Sequence, residues 1–277
     1  MGYFLVLIVL LASTPSFGKE RREFSIDTGM KEIVYTSEQL RARPDTVRVR
    51  IPLLNYPGQD IEVEAVPVAS LLKENELKPE AIVTFKCEDG FSGVLNQESL
   101  LLNEKGAAKA FLAIEPKSGW PPLPKSKDGK SAGPFYLVWM NPQESDIPPE
   151  YWPYQLSGFR FEANLKFLFP SIFPLKVKKH SRVHKGFIVY QKRCMACHQI
   201  NKEGPGLMGP DLNVPMSPTE YFKEEALKQF LKNPQSVRNW PSMKMKWVKD
   251  NSLTKTEIDN VIAYLNHMSS NRRKLVK

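Results

Sequence analysis

Two cysteines and a histidine lie within five consecutive residues of this 277-residue chain. Cys194 and Cys197 are three positions apart, and His198 follows directly. Two thiols at this spacing lie on one helical turn and can both bond to the same porphyrin, while the imidazole reaches the iron. The C-x-x-C-H pattern therefore predicts covalent attachment of one c-type haem.

The same pentapeptide is also compatible with a thiol redox pair or with half of a zinc site. A zinc site needs further ligands, but the third cysteine of the chain, Cys87, lies far upstream. A thioredoxin-like pair begins a helix after a strand, and the residues before Cys194 have no strand pattern. Haem attachment is the interpretation that the sequence favours.

The amino terminus indicates export. Residues 1–18 contain an apolar run from Tyr3 to Ala12 and end with small residues at Ser16 and Gly18, which predicts a signal peptide and a periplasmic protein. The segment lacks Lys and Arg, so an uncleaved membrane anchor is the alternative, and membrane contact is expected only through such an anchor. Haem c is attached outside the bacterial cytoplasm, which agrees with export.

Charge divides the chain into two parts. Residues 1–170 contain 19 Lys and Arg against 22 Asp and Glu, whereas residues 171–277 contain 20 against 8, a formal charge of +12. An exported haem protein is not expected to bind nucleic acid, so this charge predicts an acidic redox partner. A generally basic surface without a docking role is the alternative. Apolar content of 42% indicates folded domains.

Helices are predicted around the haem motif. Residues 184–194 carry Gly186, Tyr190 and Cys194 at spacings of four, which indicates one face of a helix. Ser217-Pro-Thr-Glu is a capping box that opens a helix to about Lys232, and Thr254-Lys-Thr-Glu opens a final helix with an apolar face. Residues 184–277 are thus predicted to be an all-α domain.

These motifs occur in an order that resembles the class I cytochrome c family. They are G-x-x-x-Y-x-x-x-C-x-x-C-H from Gly186, Gly209-Pro210-Asp211-Leu212, a methionine segment and L-T-x-x-E-I-x-x-V-I-A-Y-L. The resemblance implies that the first and last helices cross, with Gly186 and Tyr190 near Tyr264. It also implies that the Pro210 carbonyl accepts the second ring N–H of His198, which fixes the orientation of the imidazole.

The sixth iron ligand is predicted in the segment PSMKMKW. Met245 lies eight residues before Leu253 and Met243 lies ten, and the spacing in the resembled family favours Met245. In that family a proline usually follows the ligand methionine, but here a lysine follows each of the two. Three further histidines could compete as ligands. His267 lies at the end of the last predicted helix, whereas we interpret His180 and His184 as solvated residues of a basic linker.

The amino-terminal half is predicted to mix strands and helices. Alternating or apolar runs predict strands at 47–51, 61–68, 81–87, 109–114 and 135–140, and a short helix at 69–75. Residues 117–134, rich in Pro, Gly, Lys and Ser, predict a long surface loop.

Several short motifs in this half resemble the sulfite-oxidase-like, molybdopterin-binding domain family. They are VEAVPVASLL at 63–72, FKCEDGF at 85–91, FLAI at 111–114, Pro122-Leu123 and GPFYL at 133–137. The family's molybdenum-binding cysteine lies upstream of the first motif, but no cysteine precedes Cys87. The resemblance therefore implies a truncated relative without molybdenum.

The predicted organisation is a two-domain α+β protein. It consists of a signal peptide (1–18), a sulfite-oxidase-like domain (19–170), a basic linker (171–183) and a cytochrome c domain (184–277). The expected function is one-electron transfer by a monohaem cytochrome, with the amino-terminal domain as a docking module. One alternative is a subunit or relative of a molybdopterin-dependent oxidoreductase that acts on a small substrate. Another is haem-based sensing or peroxidase chemistry at an open sixth site.

Overall fold

The computed structural model describes residues 22–50, 53–59, 61–74, 81–124, 126, 128–162, 164–240, 243, 245 and 253–272. The predicted signal peptide lies outside the described residues. In the part that is described, no helix is both long and apolar enough to cross a membrane. Strands dominate the first part of the chain and helices the last, as the α+β prediction requires.

Among the described residues, a nine-stranded sheet forms the amino-terminal part. Its strands are β1 (Glu23–Asp27), β2 (Glu32–Thr36), β3 (Val47–Arg50), β4 (Glu62–Pro67), β5 (Ile82–Cys87), β6 (Val94–Asn96), β7 (Lys109–Ile114), β8 (Phe135–Met140) and β9 (Leu156–Glu162). The five predicted strands are confirmed as β3, β4, β5, β7 and β8. The order is β2-β1-β9-β8-β7-β4-β3, and β5 pairs with β9 and β6. The first strand along the chain, β1, pairs in parallel with the last strand, β9.

The α-helices of the described residues are between 4 and 16 residues long. They are α1 (Ser37–Arg41), α2 (Val68–Lys73), α3 (Gln97–Leu101), α4 (Leu165–Leu168), α5 (Arg182–Arg193), α6 (Pro218–Tyr221), α7 (Glu224–Lys232), α8 (Pro234–Val237) and α9 (Lys255–Ser270). Three 3-10 turns occur at Pro142–Ser145, Pro149–Tyr151 and Pro170–Ile172.

The core of the sheet region lies along β7 and β8. Five consecutive residues of each strand are buried, so both faces of these strands are covered. Aromatic rings fill one end of this core: Tyr136 meets Trp120 and Trp152 edge to face, with ring centroids 6.0 and 6.5 Å apart. Such edge contacts are the geometry that aromatic pairs prefer. The tight packing holds the loops at this end in place.

The helical part confirms two predicted helices and corrects a third. Helices α5 and α9 match the predictions, and the Thr254 hydroxyl caps α9 with Glu257 as a complete capping box. The capping box at Ser217 also forms, but the helix that it opens ends at Tyr221. The predicted continuous helix to Lys232 was wrong, because Phe222 and Lys223 are extended and a new helix, α7, begins at Glu224.

The two parts share a hydrophobic cluster. Ile82 and Val94 from the sheet and Leu165 from α4 are buried with Phe187 and Tyr190 of α5. Ile172, at the start of the predicted linker, is fully buried in the same cluster. The backbone of residues 171 and 172 is thus part of a packed contact between the two parts. The predicted boundaries at residues 18, 170 and 183 stay predictions.

Candidate functional site

The predicted haem-attachment residues lie on a tight turn directly after α5. Cys194 ends the helix, and its N–H donates to the Tyr190 carbonyl oxygen at 2.9 Å. The Cys194 carbonyl oxygen then accepts from the N–H groups of Cys197 (3.0 Å) and His198 (2.8 Å). Backbone hydrogen bonds within residues 190–198 therefore form one turn that carries both thiols and the imidazole.

The His198 ring is oriented by the chain that follows it. Its Nδ1 lies 2.7 Å from the Pro210 carbonyl oxygen. A carbonyl oxygen can only accept, so Nδ1 carries the proton and the lone pair is on Nε2. Burial lowers the pKa of His198, although the Pro210 hydrogen bond and the Asp211 charge oppose the shift. A neutral imidazole with a free Nε2 is the form that binds a metal.

Two glycines allow the following loop to pass directly over this turn. A Cβ at Gly209 would lie 2.3 Å from Cε1 of His198, and one at Gly206 would lie 2.4 Å from the Cys197 carbonyl carbon. These distances leave no room for a side chain at either position. The sequence motif contained Gly209, but Gly206 was not predicted, because close approach of backbones has no signal beyond the glycine itself.

The helix that carries the cysteines crosses α9 at close range. A Cβ at Gly186 would lie 1.9 Å from the Asn260 carbonyl oxygen, so the two backbones touch. The rings of Tyr190 and Tyr264 are 5.4 Å apart, and the Tyr190 hydroxyl donates to the His198 carbonyl oxygen at 2.9 Å. The expected crossing of the first and last helices, α5 and α9, is confirmed. Through Tyr190, this helix pair is hydrogen-bonded to the attachment turn.

The two candidate methionines differ in exposure. Met243 is 4% exposed, and its N–H donates to the Trp240 carbonyl oxygen at 3.0 Å. Met245, which the sequence favoured, is 37% exposed. Their neighbours Lys244 and Lys246 lie outside the described residues. The assignment of Met245 stays a prediction, and burial is an observation in favour of Met243.

The other potential ligands are separate from this turn. The rings of His180 and His184 lie 6.0 Å apart at the start of α5. Cys87 lies at the end of β5 opposite Leu156, and burial raises the pKa of its thiol. Across the described ranges of the chain, no group of three or more His, Cys, Asp or Glu side chains could hold a metal ion.

The donor set of the turn fits a haem. Two thiols and one imidazole with a free Nε2 occupy a single turn, and the glycine loop holds the imidazole ring. A family comparison agrees: residues 183–269 match the cytochrome c family model. This part of the chain is a cytochrome c domain with covalently attached haem c and a haem-binding, electron-transfer role. The match does not extend to the sheet region. No curated protein matches the chain.

Proposed function

We propose that the protein is an exported carrier that transfers one electron at a time through a single haem attached at Cys194 and Cys197. The geometry of His198 is the observation that supports this most strongly. Its Nδ1 is held by the Pro210 carbonyl oxygen at 2.7 Å, which leaves Nε2 as the iron-binding atom one turn away from both thiols.

Each residue of the site has one task in this proposal. The thiols of Cys194 and Cys197 anchor the porphyrin, and Nε2 of His198 is the proximal ligand. Pro210 keeps the imidazole in the correct tautomer and raises its basicity. When bound, the haem supplies a ferric–ferrous couple whose potential depends on the axial ligands and on burial.

The sixth ligand is proposed to be one of the two methionines before α9. A thioether favours ferrous iron, and a filled sixth position suits electron transfer rather than ligand binding. Family spacing supports Met245, whereas the burial of the Met243 side chain supports Met243. The two residues form a matched pair, because each serves as the control for the other.

The test is carried out on the full-length haem protein with Met243→Ala and Met245→Ala. Loss of the true ligand lowers the potential and lets carbon monoxide bind the ferrous form, while the other variant behaves as wild type. If the spectra of both variants are unchanged, the sixth ligand is not a methionine, and a histidine becomes the candidate. Rapid carbon monoxide binding to the wild-type ferrous protein would contradict the carrier and favour sensing or peroxidase chemistry.

We infer that the redox partner is acidic and meets the protein in the periplasm. Residues 171–277 carry a formal charge of +12, and Lys176, Lys178 and Lys179 lie in the segment before α5. Opposite charges accelerate short-lived encounters, and salt screens them. The rate of electron exchange with an acidic carrier protein should fall steeply as ionic strength rises. A rate independent of salt would contradict this partner chemistry.

The sheet region is proposed to be a docking and positioning module without molybdenum, a truncated relative of sulfite-oxidase-like domains. The support is the position of Cys87, which lies at the end of β5, downstream of the motif at 63–72, whereas the molybdenum-binding cysteine of that family lies upstream of it. Metal analysis of the purified protein should find iron and no stoichiometric molybdenum. Stoichiometric molybdenum would instead support a molybdopterin-dependent oxidoreductase.

A further inference from the structure

The segment between β8 and β9 connects the sheet region to the haem-attachment turn. Asp146, in this segment, accepts from Lys192 Nζ at 2.5 Å and from Arg193 Nη2 at 3.2 Å. Both cations belong to the last turn of α5, directly before Cys194. The contact therefore joins the segment 142–151 of the sheet region to the end of α5, directly before the haem-attachment turn.

This segment is firmly attached to the sheet. The Trp139 indole N–H donates to the Tyr151 carbonyl oxygen at 2.7 Å, and the Ala108 N–H donates to the Ser145 hydroxyl at 3.1 Å. Pro148 and Tyr151 are buried. A side chain in this segment consequently keeps a fixed position relative to the attachment turn.

Glu150 lies in the same segment, in the 3-10 turn Pro149–Tyr151. Its Oε2 is buried and has no hydrogen-bond partner among the described residues. Burial raises the pKa of Glu150 to about 6, although the positive charge of Arg193 opposes the shift. Burial also raises the pKa of the free Cys194 thiol, and the Glu150 charge adds to that effect.

The charged surroundings of Glu150 come from two elements. The positive charge of Arg193 acts on it from α5. Asp146, in the segment itself, accepts hydrogen bonds from both Arg193 and Lys192. Tyr151, the neighbour of Glu150, has a raised pKa because of burial and the Glu150 charge, so it stays neutral. The Glu150 carboxyl, with its pKa raised by burial to about 6, changes its charge in the mildly acidic range.

We propose that Glu150 sets the potential of the haem and couples it to pH. The proposal rests on attachment of the haem at Cys194. The Glu150 carboxylate favours ferric iron, because a nearby negative charge stabilises the more positive oxidation state. Near the pKa of Glu150, an electron delivered to the haem by the redox partner would make protonation of the carboxylate more favourable, so that reduction would be accompanied by uptake of a proton from the solvent. Oxidation releases both.

The test compares full-length wild type with Glu150→Gln in optical redox titrations below and above pH 6. The wild-type potential should fall as pH rises, since deprotonation adds a negative charge beside the haem. Glu150→Gln should give a pH-independent potential in this range. Above the pKa it should raise the ratio of ferrous to ferric protein at fixed ambient potential about tenfold, or about 59 mV for one electron.

Two further variants make the result specific. Glu144→Gln removes an exposed carboxylate from the same segment and should behave as wild type. Glu150→Asp keeps the charge and should retain the pH dependence, which a purely structural role would not predict. A Glu150→Gln protein with covalent haem and the wild-type potential at every pH would overturn the inference. Absence of covalent haem in wild type would instead contradict the proposed function.

Discussion

The haem region and the sheet region differ in how far apart along the chain their interacting residues lie. The attachment turn is closed by hydrogen bonds among Tyr190, Cys194, Cys197 and His198, all within nine residues. In the sheet, β1 pairs with β9, and Arg160 donates to the Asp27 carboxylate across 133 positions at 3.0 Å. Contacts between residues that are close along the chain can be predicted from a sequence motif, whereas pairing between distant strands depends on the whole fold.

The difference also separates what each region does. The haem region concentrates its chemistry in one turn and needs α9 as a support. The sheet region supplies a rigid body whose 142–151 segment and Ile82–Val94 surface contact the haem region. Variants therefore test two points: whether haem attachment depends on the residues of the turn alone, and whether contacts between the two regions contribute to the free energy of unfolding.

The largest effect is expected from Cys194→Ser combined with Cys197→Ser. Each thiol supplies one bond to the porphyrin, so the double variant should lose covalent haem completely, as haem staining after denaturing electrophoresis will show. Cys87→Ser is the matched control, because Cys87 lies in β5 away from the turn, and it should keep full staining. Staining of the double variant would contradict a local site.

A large loss of stability is expected from Gly186→Ala. The added Cβ would lie 1.9 Å from the Asn260 carbonyl oxygen, so α5 and α9 must move apart. We expect the free energy of unfolding to fall by about 3 kcal/mol in denaturant titrations. Ile188→Ala, at a 43% exposed position of the same helix, should change it by about 0.5 kcal/mol or less. Equal effects would show that the crossing is not close-packed.

A smaller effect is expected where the two regions meet. The buried Tyr264 hydroxyl donates to the Ile172 carbonyl oxygen at 2.6 Å. Tyr264→Phe leaves this carbonyl without its donor and should lower the free energy of unfolding by about 1 to 2 kcal/mol. Tyr221→Phe, at a 52% exposed position, is the control. No change in Tyr264→Phe would mean that residues 171–183 act as the simple linker that the sequence suggested.

The smallest effect is expected from Asp146→Asn. Its carboxylate pairs with Lys192 and Arg193 but is largely exposed, so water and salt screen the pairs. The variant should lose less than about 1 kcal/mol at low salt and nothing measurable at high salt. A loss that persists at high salt would show that this contact is more important than its exposure indicates.

The sequence predicted the elements that carry local signals. Strands β3, β4, β5, β7 and β8 have alternating or apolar runs, and α5 and α9 have a periodic face and a capping box. The break between α6 and α7 was missed because it contains neither Pro nor Gly. Phe222 turns there to contact Phe230, with ring centroids 5.5 Å apart, and Arg238 lies over the Phe222 ring.

The candidate site shows the same limit. Cys194, Cys197 and His198 followed from spacing, and the Pro210 contact followed from the resemblance to cytochromes. Spacing favoured Met245, whereas burial, which cannot be counted along a sequence, favours Met243. Glu150 carried no signal either, because the role proposed for it depends on where the sheet region places it.

The most direct test is an optical redox titration of the purified full-length protein with its haem. A monohaem carrier predicts one reversible wave that fits a one-electron transition, with the haem spectrum changing throughout and the haem retained after denaturation. Two waves, an irreversible change or no haem absorbance would contradict the account.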